Sequence, residues 1–495
     1  MRTLFVTSEA FPLVKTGGLA DVSAALPAAL RNLGIDARLL LPRYRQVSEV
    51  PNPREVLHLG DLLGCGETRL LETFLPHSDV PVWLIDCPRL YDRDGGPYQD
   101  LDGEPWKDNH LRFALLNHVA ARFADDRNQG WMPDIIHAND WHAGLVPLLL
   151  QRYRRRPASV MTVHNLAYQG VFEAAGFEQL GLPAEAFSDM EFYGRISFLK
   201  AGIRAADAIT TVSQTYAKEI LTPEYGCGLD GLLRERAAHL TGILNGVDYY
   251  IWDPSGDPHL ACNYTAGSSA LKSINKRVIQ MELGLDPAAD KPLLAFMSRL
   301  VHQKMPDVLI GTLSALMENG AQFALVGEGD NVYEKAFLEL AEKYRGCVAV
   351  VIGYQEKLAH RLLAGADMLL HPSRFEPCGL LPIYAMRYGT IPIVRNSGGM
   401  ADSVTNATQQ TIREGTATGF SFDTPAVSEL VDCVHTALSL YRRPIAWQKM
   451  QASAMRQDFG WQRSAASYAD LYRSLVHTPA KQELFDERTP ARLIA

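Results

Sequence analysis

An α/β fold with parallel sheets, built twice over, is what this sequence predicts, and three observations carry the prediction. Short apolar runs that end in polar residues alternate with helical periodicity along the chain. The series begins afresh past the middle. The chain's 495 residues also exceed what one hydrophobic core organises. The expectation is two doubly wound Rossmann-like domains, residues 1–244 and 245–460. Residues 461–495 then form a C-terminal helix returning to the first domain, followed by a polar tail.

The first strand is Leu4, Phe5 and Val6, apolar and partly β-branched as a buried parallel strand requires. A loop with Pro12 and the pair Gly17-Gly18 follows, then helical periodicity over 19–33, ending near Gly34. Glycines admit a ligand close to the backbone, and a helix N-terminus favours negative charge. Lys15 beside them either adds a point charge for phosphate or stands as a solvated lysine in an ordinary loop. Strands are predicted next at 39–42 and 81–86, polar glycine-rich loop over 92–108, and helix over 111–123. Four segments then repeat one design, a strand running out into polar residues: 134–137 into Asn139-Asp140-Trp141-His142, 159–165 ending in His164-Asn165, 208–213, and 244–248. In open parallel sheets ligands collect at such carboxyl ends.

Past the middle, strands are predicted at 293–299, 323–327, 348–352, 368–371 and 391–394, with helices between them. After Trp461 a helix runs to about 476, and the tail from His477 is polar and loosely held.

Composition excludes several classes. Lysine and arginine number 48 against 56 aspartates and glutamates, a net charge of −8 with no long basic run, which argues against a nucleic-acid partner. Seven scattered cysteines, none in a CxxC pair, fit reduced thiols in a cytoplasmic protein without structural zinc. No apolar run nears membrane-spanning length and no secretion signal opens the chain, so no membrane partner is expected.

The candidate chemistry sits at strand ends. Arg299 ends a strand and Lys304 follows in the loop; a guanidinium fork and an ammonium converging on one place suit a diphosphate, and would stabilise charge on a departing nucleotide. Two ordinary basic residues of an exposed loop are the other reading. Ser373-Arg374-Phe375-Glu376-Pro377-Cys378-Gly379-Leu380 supplies a carboxylate for sugar hydroxyls and a helix start whose N–H groups bind other oxygens. A glutamate decorating a helix N-terminus reads equally well there. Cys378 lacks a histidine placed to activate it as a nucleophile. His164 can be base, donor or core histidine, and His137 and His142 do not have metal-ligand spacing.

Taken in order, these motifs resemble bacterial glycogen synthase and plant starch synthase. The marks run from Met1 to about Val476: Lys15-Thr16-Gly17-Gly18-Leu19-Ala20-Asp21, Leu90-Tyr91-Asp92-Arg93 with Pro97-Tyr98, His137 to His142, Thr162 to Gly170, Ile196 to Gly202, Leu244-Asn245-Gly246-Val247-Asp248, Asn275-Lys276, Ser298-Arg299-Leu300, Gln303-Lys304 and Arg374 to Leu380. The resemblance implies a GT-B type fold, two Rossmann-like domains facing across a deep cleft. It also implies retaining transfer of glucose from ADP-glucose to the non-reducing 4-hydroxyl of an α-1,4-glucan, by departure and attack on one face of the sugar. By that likeness Lys15, Arg299 and Lys304 hold the phosphates, Glu376 with the N–H groups of Cys378 and Gly379 holds the glucose, and His164 lies over the anomeric centre. Tyr354 stacks on the adenine, while Asp21, Tyr98, Asp140 and Asn245 line the cleft. Glu9, Gly17, Gly18, Asn165, Leu380 and Tyr384 complete the implied substrate-binding set; many related transferases carry a second glutamate where Tyr384 stands. No metal and no cofactor beyond the sugar nucleotide is implied.

Departures from the family pattern fall at Met305-Pro306, where it has glycine-leucine; at Leu381-Pro382, where it has a polar pair; and at Asn139, where histidine is common. The first two keep open a poorly active paralogue that binds glucan or nucleotide; a synthase using UDP-glucose is the other alternative, because stacking on Tyr354 does not fix the base.

Overall fold

A computed structural model describes residues 1–47, 50, 53–124 and 130–477. By their contacts they form two compact units. The first comprises Met1–Thr210, Leu232–Leu240 and the chain from Gln462; the second comprises Thr211–Gly231 and Thr241–Trp461.

The strands up to the second unit's sheet are β1 (Arg2–Val6), β2 (Asp36–Pro42), β3 (Arg54–Asp61), β4 (Glu67–Phe74), β5 (Pro81–Asp86), β6 (Ile135–Asn139), β7 (Ala158–Val163), β8 (Val171–Glu173), β9 (Glu191–Phe192), β10 (Arg195–Ser197), β11 (Ala208–Thr211) and β12 (Leu240–Gly242). The first unit's sheet has the order β12-β11-β7-β6-β1-β2-β5-β4-β3. From β5 to β7 its neighbours are parallel, and β4 and β3 extend it antiparallel. The order reverses between β1 and β6, a topological switch point at which doubly wound sheets open a crevice. Helix Gly18–Asn32 enters just after that point and buries Leu19, Val22, Leu26 and Leu30, one face at helical spacing. The C-terminal helix Trp461–His477 closes on the same sheet: Tyr472, buried, meets His137 Nδ1 of β6 at 2.6 Å.

The second unit's sheet is wholly parallel: β13 (Leu293–Met297), β14 (Gln322–Gly327), β15 (Val348–Ile352), β16 (Met368–His371), β17 (Ile391–Arg395) and β18 (Phe420–Phe422). Its order is β15-β14-β13-β16-β17-β18. β13 to β17 are apolar almost throughout, as strands covered on both faces must be. The order again reverses once, between β13 and β16.

Two expectations change. The strand predicted at 244–248 is not formed; β12 lies just before it. Val247 N instead donates to Phe459 O at 2.7 Å, and Gly246 lies where a Cβ would meet the Trp461 Cα at 2.7 Å, so this segment bonds to 459–461 rather than to a sheet. The hairpin β3–β4 and the small antiparallel sheet β8-β10-β9 were not anticipated; their strands are short or carry exposed charge. The polar tail beyond His477 lies outside the described residues. Among the described residues no helix is long and apolar enough to cross a membrane.

Candidate active site

In the first unit the candidate residues gather at the β1/β6 switch point. The loop after β1 is closed by Glu9: its Oε2 accepts from Thr16 N at 2.6 Å and Gly17 N at 3.1 Å, and its Oε1 accepts from the Tyr98 hydroxyl. Both carboxylate oxygens are thus spent on shaping the glycine loop. Gly17 and Gly18 lie exposed beyond it. Lys15 Nζ pairs with Asp21 Oδ1 at 3.0 Å, each side chain about a quarter exposed. Tyr98 also bonds Ser8 Oγ at 2.7 Å and stacks on His142 at 4.7 Å.

Asp140 follows β6 with φ +54°, in the left-handed region that non-glycine residues rarely enter. Its Oδ1 accepts from His164 N at 2.7 Å, and Asn165 N also donates to the carboxylate. Burial outweighs both amides and pushes the carboxyl up to about 7. His164, after β7, has its Nε2 at 3.0 Å from Asn139 Oδ1. The Asn139 amide nitrogen donates to Val6 O and His137 O, so its oxygen faces the ring and His164 Nε2 carries the hydrogen. Loss of water pushes His164 down to about 3, which leaves it neutral. His137 is a core residue bonded to Tyr472 and Thr162. Among the described residues no group of three or more His, Cys, Asp or Glu could hold a metal ion.

In the second unit the candidates flank the β13/β16 switch point. Arg299 follows β13 and is exposed. Lys304 ends a short 3-10 turn, His302–Lys304, and Met305 after it adopts φ +57° before Pro306 opens helix Pro306–Glu318. Arg374 grips this loop through Asp307, at 2.6 and 3.0 Å, and through His302 O, while Arg374 N donates to Gln303 O at 2.8 Å. Glu376 Oε2 accepts from Lys304 Nζ, from His371 Nε2 at 3.1 Å and from Ser373 Oγ at 2.9 Å. None of these bonds falls on Oε1. Burial opposes charge on Glu376, but Lys304, then His371, outweigh it and hold the carboxyl well below the usual range.

Gly379, at φ +77°, caps helix Leu380–Arg387, and Pro382 sits in its first turn, where an N–H has no helical partner anyway. The N–H groups of Cys378, Gly379 and Leu380 donate to no group among the described residues. Burial pushes the Cys378 thiol up to about 12, far from a thiolate nucleophile, and Asn245 bonds its sulfur. Two of the expected residues make contacts of their own. Tyr384 is buried with its ring stacked on Trp252 at 4.3 Å. Tyr354, past the end of β15, is 57% exposed and donates to Glu356 Oε2 at 2.6 Å. Sequence reasoning passed over His371, Ser373 and the role of Asn139, although His371 ends a strand as His164 follows one.

The family model described as starch synthase catalytic domain matches residues 2–235, and that of glycosyl transferases group 1 matches residues 284–452. The chain is similar to the glycogen synthase of Paramagnetospirillum magneticum, 49% identical across 96% of this chain and 98% of that protein. It is likewise similar to that of Thioalkalivibrio sulfidiphilus, 48% identical across 96% of this chain and 100% of that one. The solved catalytic domain of starch synthase IV from Arabidopsis thaliana, bound to ADP and acarbose, superposes with a TM-score of 0.87 at 30% identity, over 96% of this chain and 99% of that one.

Proposed function

The chain belongs to the glycogen synthase and starch synthase family of glycosyltransferases, and we propose that its reaction is retaining transfer of glucose from ADP-glucose to the non-reducing 4-hydroxyl of an α-1,4-glucan. One observation carries the reading: a charged, immobilised Glu376 whose Oε1, among the described residues, takes none of these bonds, beside three N–H donors that likewise have no partner among the described residues, at a helix start. A carboxylate acceptor and a row of backbone donors match the hydroxyls of one sugar ring. The ADP held by the Arabidopsis starch synthase IV supports an adenine nucleotide as donor.

In the transfer, the bond from the anomeric carbon to the phosphate oxygen breaks and the glucan O4 forms the new bond on the same face. The O4 proton passes to the departing phosphate oxygen, so ADP leaves and no protein side chain is covalently used. Arg299, Lys304 and Lys15 neutralise the diphosphate as its charge grows. Glu376, with the amides of Cys378 and Gly379, holds the glucose. His164, neutral, presents an uncharged ring near the anomeric carbon, where an imidazolium would oppose the positive charge developing there. Tyr354 stacks on the adenine, and Asp140 and Tyr98 serve the acceptor. This chemistry calls for no cofactor beyond the sugar nucleotide. The altered loops suit an active enzyme: Met305 takes up a left-handed turn and Pro382 fits a helix start.

Incorporation of labelled glucose into glycogen, with ADP-glucose and UDP-glucose run side by side, tests the reading. Strong transfer from ADP-glucose is expected. Transfer from UDP-glucose alone overturns the donor, and transfer from neither by a folded protein overturns the activity.

A further inference from the structure

Residues 376–378 have a supply problem. Their carbonyls lie in an irregular loop, and Pro377 offers no N–H of its own. Donors arrive from two places. Gly399 N donates to Glu376 O and Pro377 O, both at 3.1 Å. Ser213 Oγ donates to Pro377 O at 2.7 Å. Both glycines of Ser397-Gly398-Gly399 are needed for this approach: a Cβ on Gly398 would lie 2.0 Å from Glu376 O, and one on Gly399 2.1 Å from Cys378 O.

The Ser213 hydroxyl is oriented by a second bond. It accepts from Tyr216 N at 3.1 Å as the N-cap of helix Gln214–Glu219, so its hydrogen is directed at Pro377 O. The helix is in turn pinned to the glycine segment. Thr215 N and Oγ1 donate to the two oxygens of Asp402 at 2.9 and 2.6 Å, and Glu219 Oε1 accepts from Gly398 N at 2.9 Å. Residues 213–219, 397–402 and 376–378 therefore close a ring of hydrogen bonds, all within the second unit. That ring uses the carbonyls of Glu376 and Pro377 and leaves the amides of 378–380 with no partner among the described residues.

We propose that Ser213, backed by Thr215 and Glu219, is a positioning residue for glucosyl transfer: by fixing the Pro377 carbonyl it sets the direction of the Cys378 and Gly379 amides and of the Glu376 carboxylate. The inference rests on the reading of 376–380 as the loop that holds the sugar.

The test compares Ser213→Gly with Ser213→Thr. Glycine keeps most of the helix cap and removes the donor; threonine restores a hydroxyl. For Ser213→Gly we expect kcat with ADP-glucose to fall about tenfold or more, the size of a small misplacement at a reacting centre. KM for glycogen and the affinity for ADP, which carries no glucose, stay within about twofold of the parent, and Ser213→Thr recovers most of kcat. A kcat unchanged in Ser213→Gly overturns the proposal. So does a loss of rate that is matched by an equal loss of ADP affinity and of Tm. Hydrogen exchange over 396–404 supplies a readout that needs no turnover: Ser213→Gly is expected to speed exchange there at unchanged Tm, and an unchanged rate overturns the brace itself. If the parent transfers no glucose while Ser213→Gly still exchanges faster than the parent over 396–404, the sugar-holding reading is refuted and the brace stands.

Discussion

The two switch points solve one problem in opposite ways. Each carries a buried carboxylate and a non-glycine residue held at positive φ. At β1/β6 both features are one residue, Asp140; at β13/β16 they are divided between Glu376 and Met305. Asp140 has only neutral donors, the amides of His164 and Asn165, and burial pushes it up to about 7. Glu376 is as buried but has Lys304 and His371 on one oxygen, and is held well below the usual range. Burial raises a carboxyl by default, and a cation placed on the same oxygen reverses the outcome. The first site therefore has an acid poised to change charge near neutrality, and the second a permanent anion.

Removing the cation is the most severe way to break this contrast. Lys304→Ala leaves the Glu376 charge buried without its main partner and deprives the leaving diphosphate of an ammonium. We expect kcat/KM for ADP-glucose to fall by about 3–4 kcal/mol in transition-state stabilisation. A rate equal to the parent's would take Lys304 out of the mechanism.

The pH dependence of stability separates the two carboxylates by sign. Asp140, raised in the folded state above an unfolded value of about 3.9, contributes stability that is full below that value and is lost as pH rises to about 7. Glu376, depressed, contributes stability that is present above an unfolded value of about 4.3 and is lost as pH falls below it. Thermal denaturation from pH 3 to 8 should therefore show Asp140→Asn gaining on the parent as pH climbs from 4 to 7. Glu376→Gln should lose least at the acid end and most above pH 4.5. The same slope in both variants would erase the contrast.

Most of this architecture was legible because parallel strands buried on both faces leave apolar runs such as 293–297 and 368–370, and because their ends carry the polar residues. Lys304, Glu376 and His164 were singled out as candidates that way. What stayed hidden depends on partners remote in sequence. Nothing near residue 245 announces that Val247 bonds to Phe459, and nothing near Tyr384 announces that its ring lies on Trp252. Glu9 was grouped with the substrate-binding residues from motif position, but the contacts of its two oxygens, to Thr16, Gly17 and Tyr98, exist only once the chain has folded. The helix 214–219 lies in a segment, 211–231, that joins the second unit by contacts no local pattern records.

The smallest effect concerns the second left-handed residue. Met305 stands where the family resemblance leads one to expect glycine; it takes up a left-handed turn, at φ +57° and ψ +44°, and its side chain is fully buried in the second unit's core. Two terms then oppose each other. A left-handed conformation costs a residue with a Cβ about 1–2 kcal/mol, which glycine escapes. Emptying a buried methionine site costs about 2–5 kcal/mol. Met305→Gly is thus expected to destabilise by about 2 kcal/mol, with kcat within about twofold of the parent because the backbone of Lys304 is not moved. Met305→Ala empties nearly the same volume but keeps the strain, so it should be less stable than Met305→Gly by about 1 kcal/mol. That inverts the usual order, in which glycine is the worse substitute at a helix boundary lacking positive φ. Denaturant midpoints of the two variants decide it: alanine equal to or better than glycine would mean that residue 305 bears no left-handed strain, and that Met305 sits in its loop as easily as any other residue would.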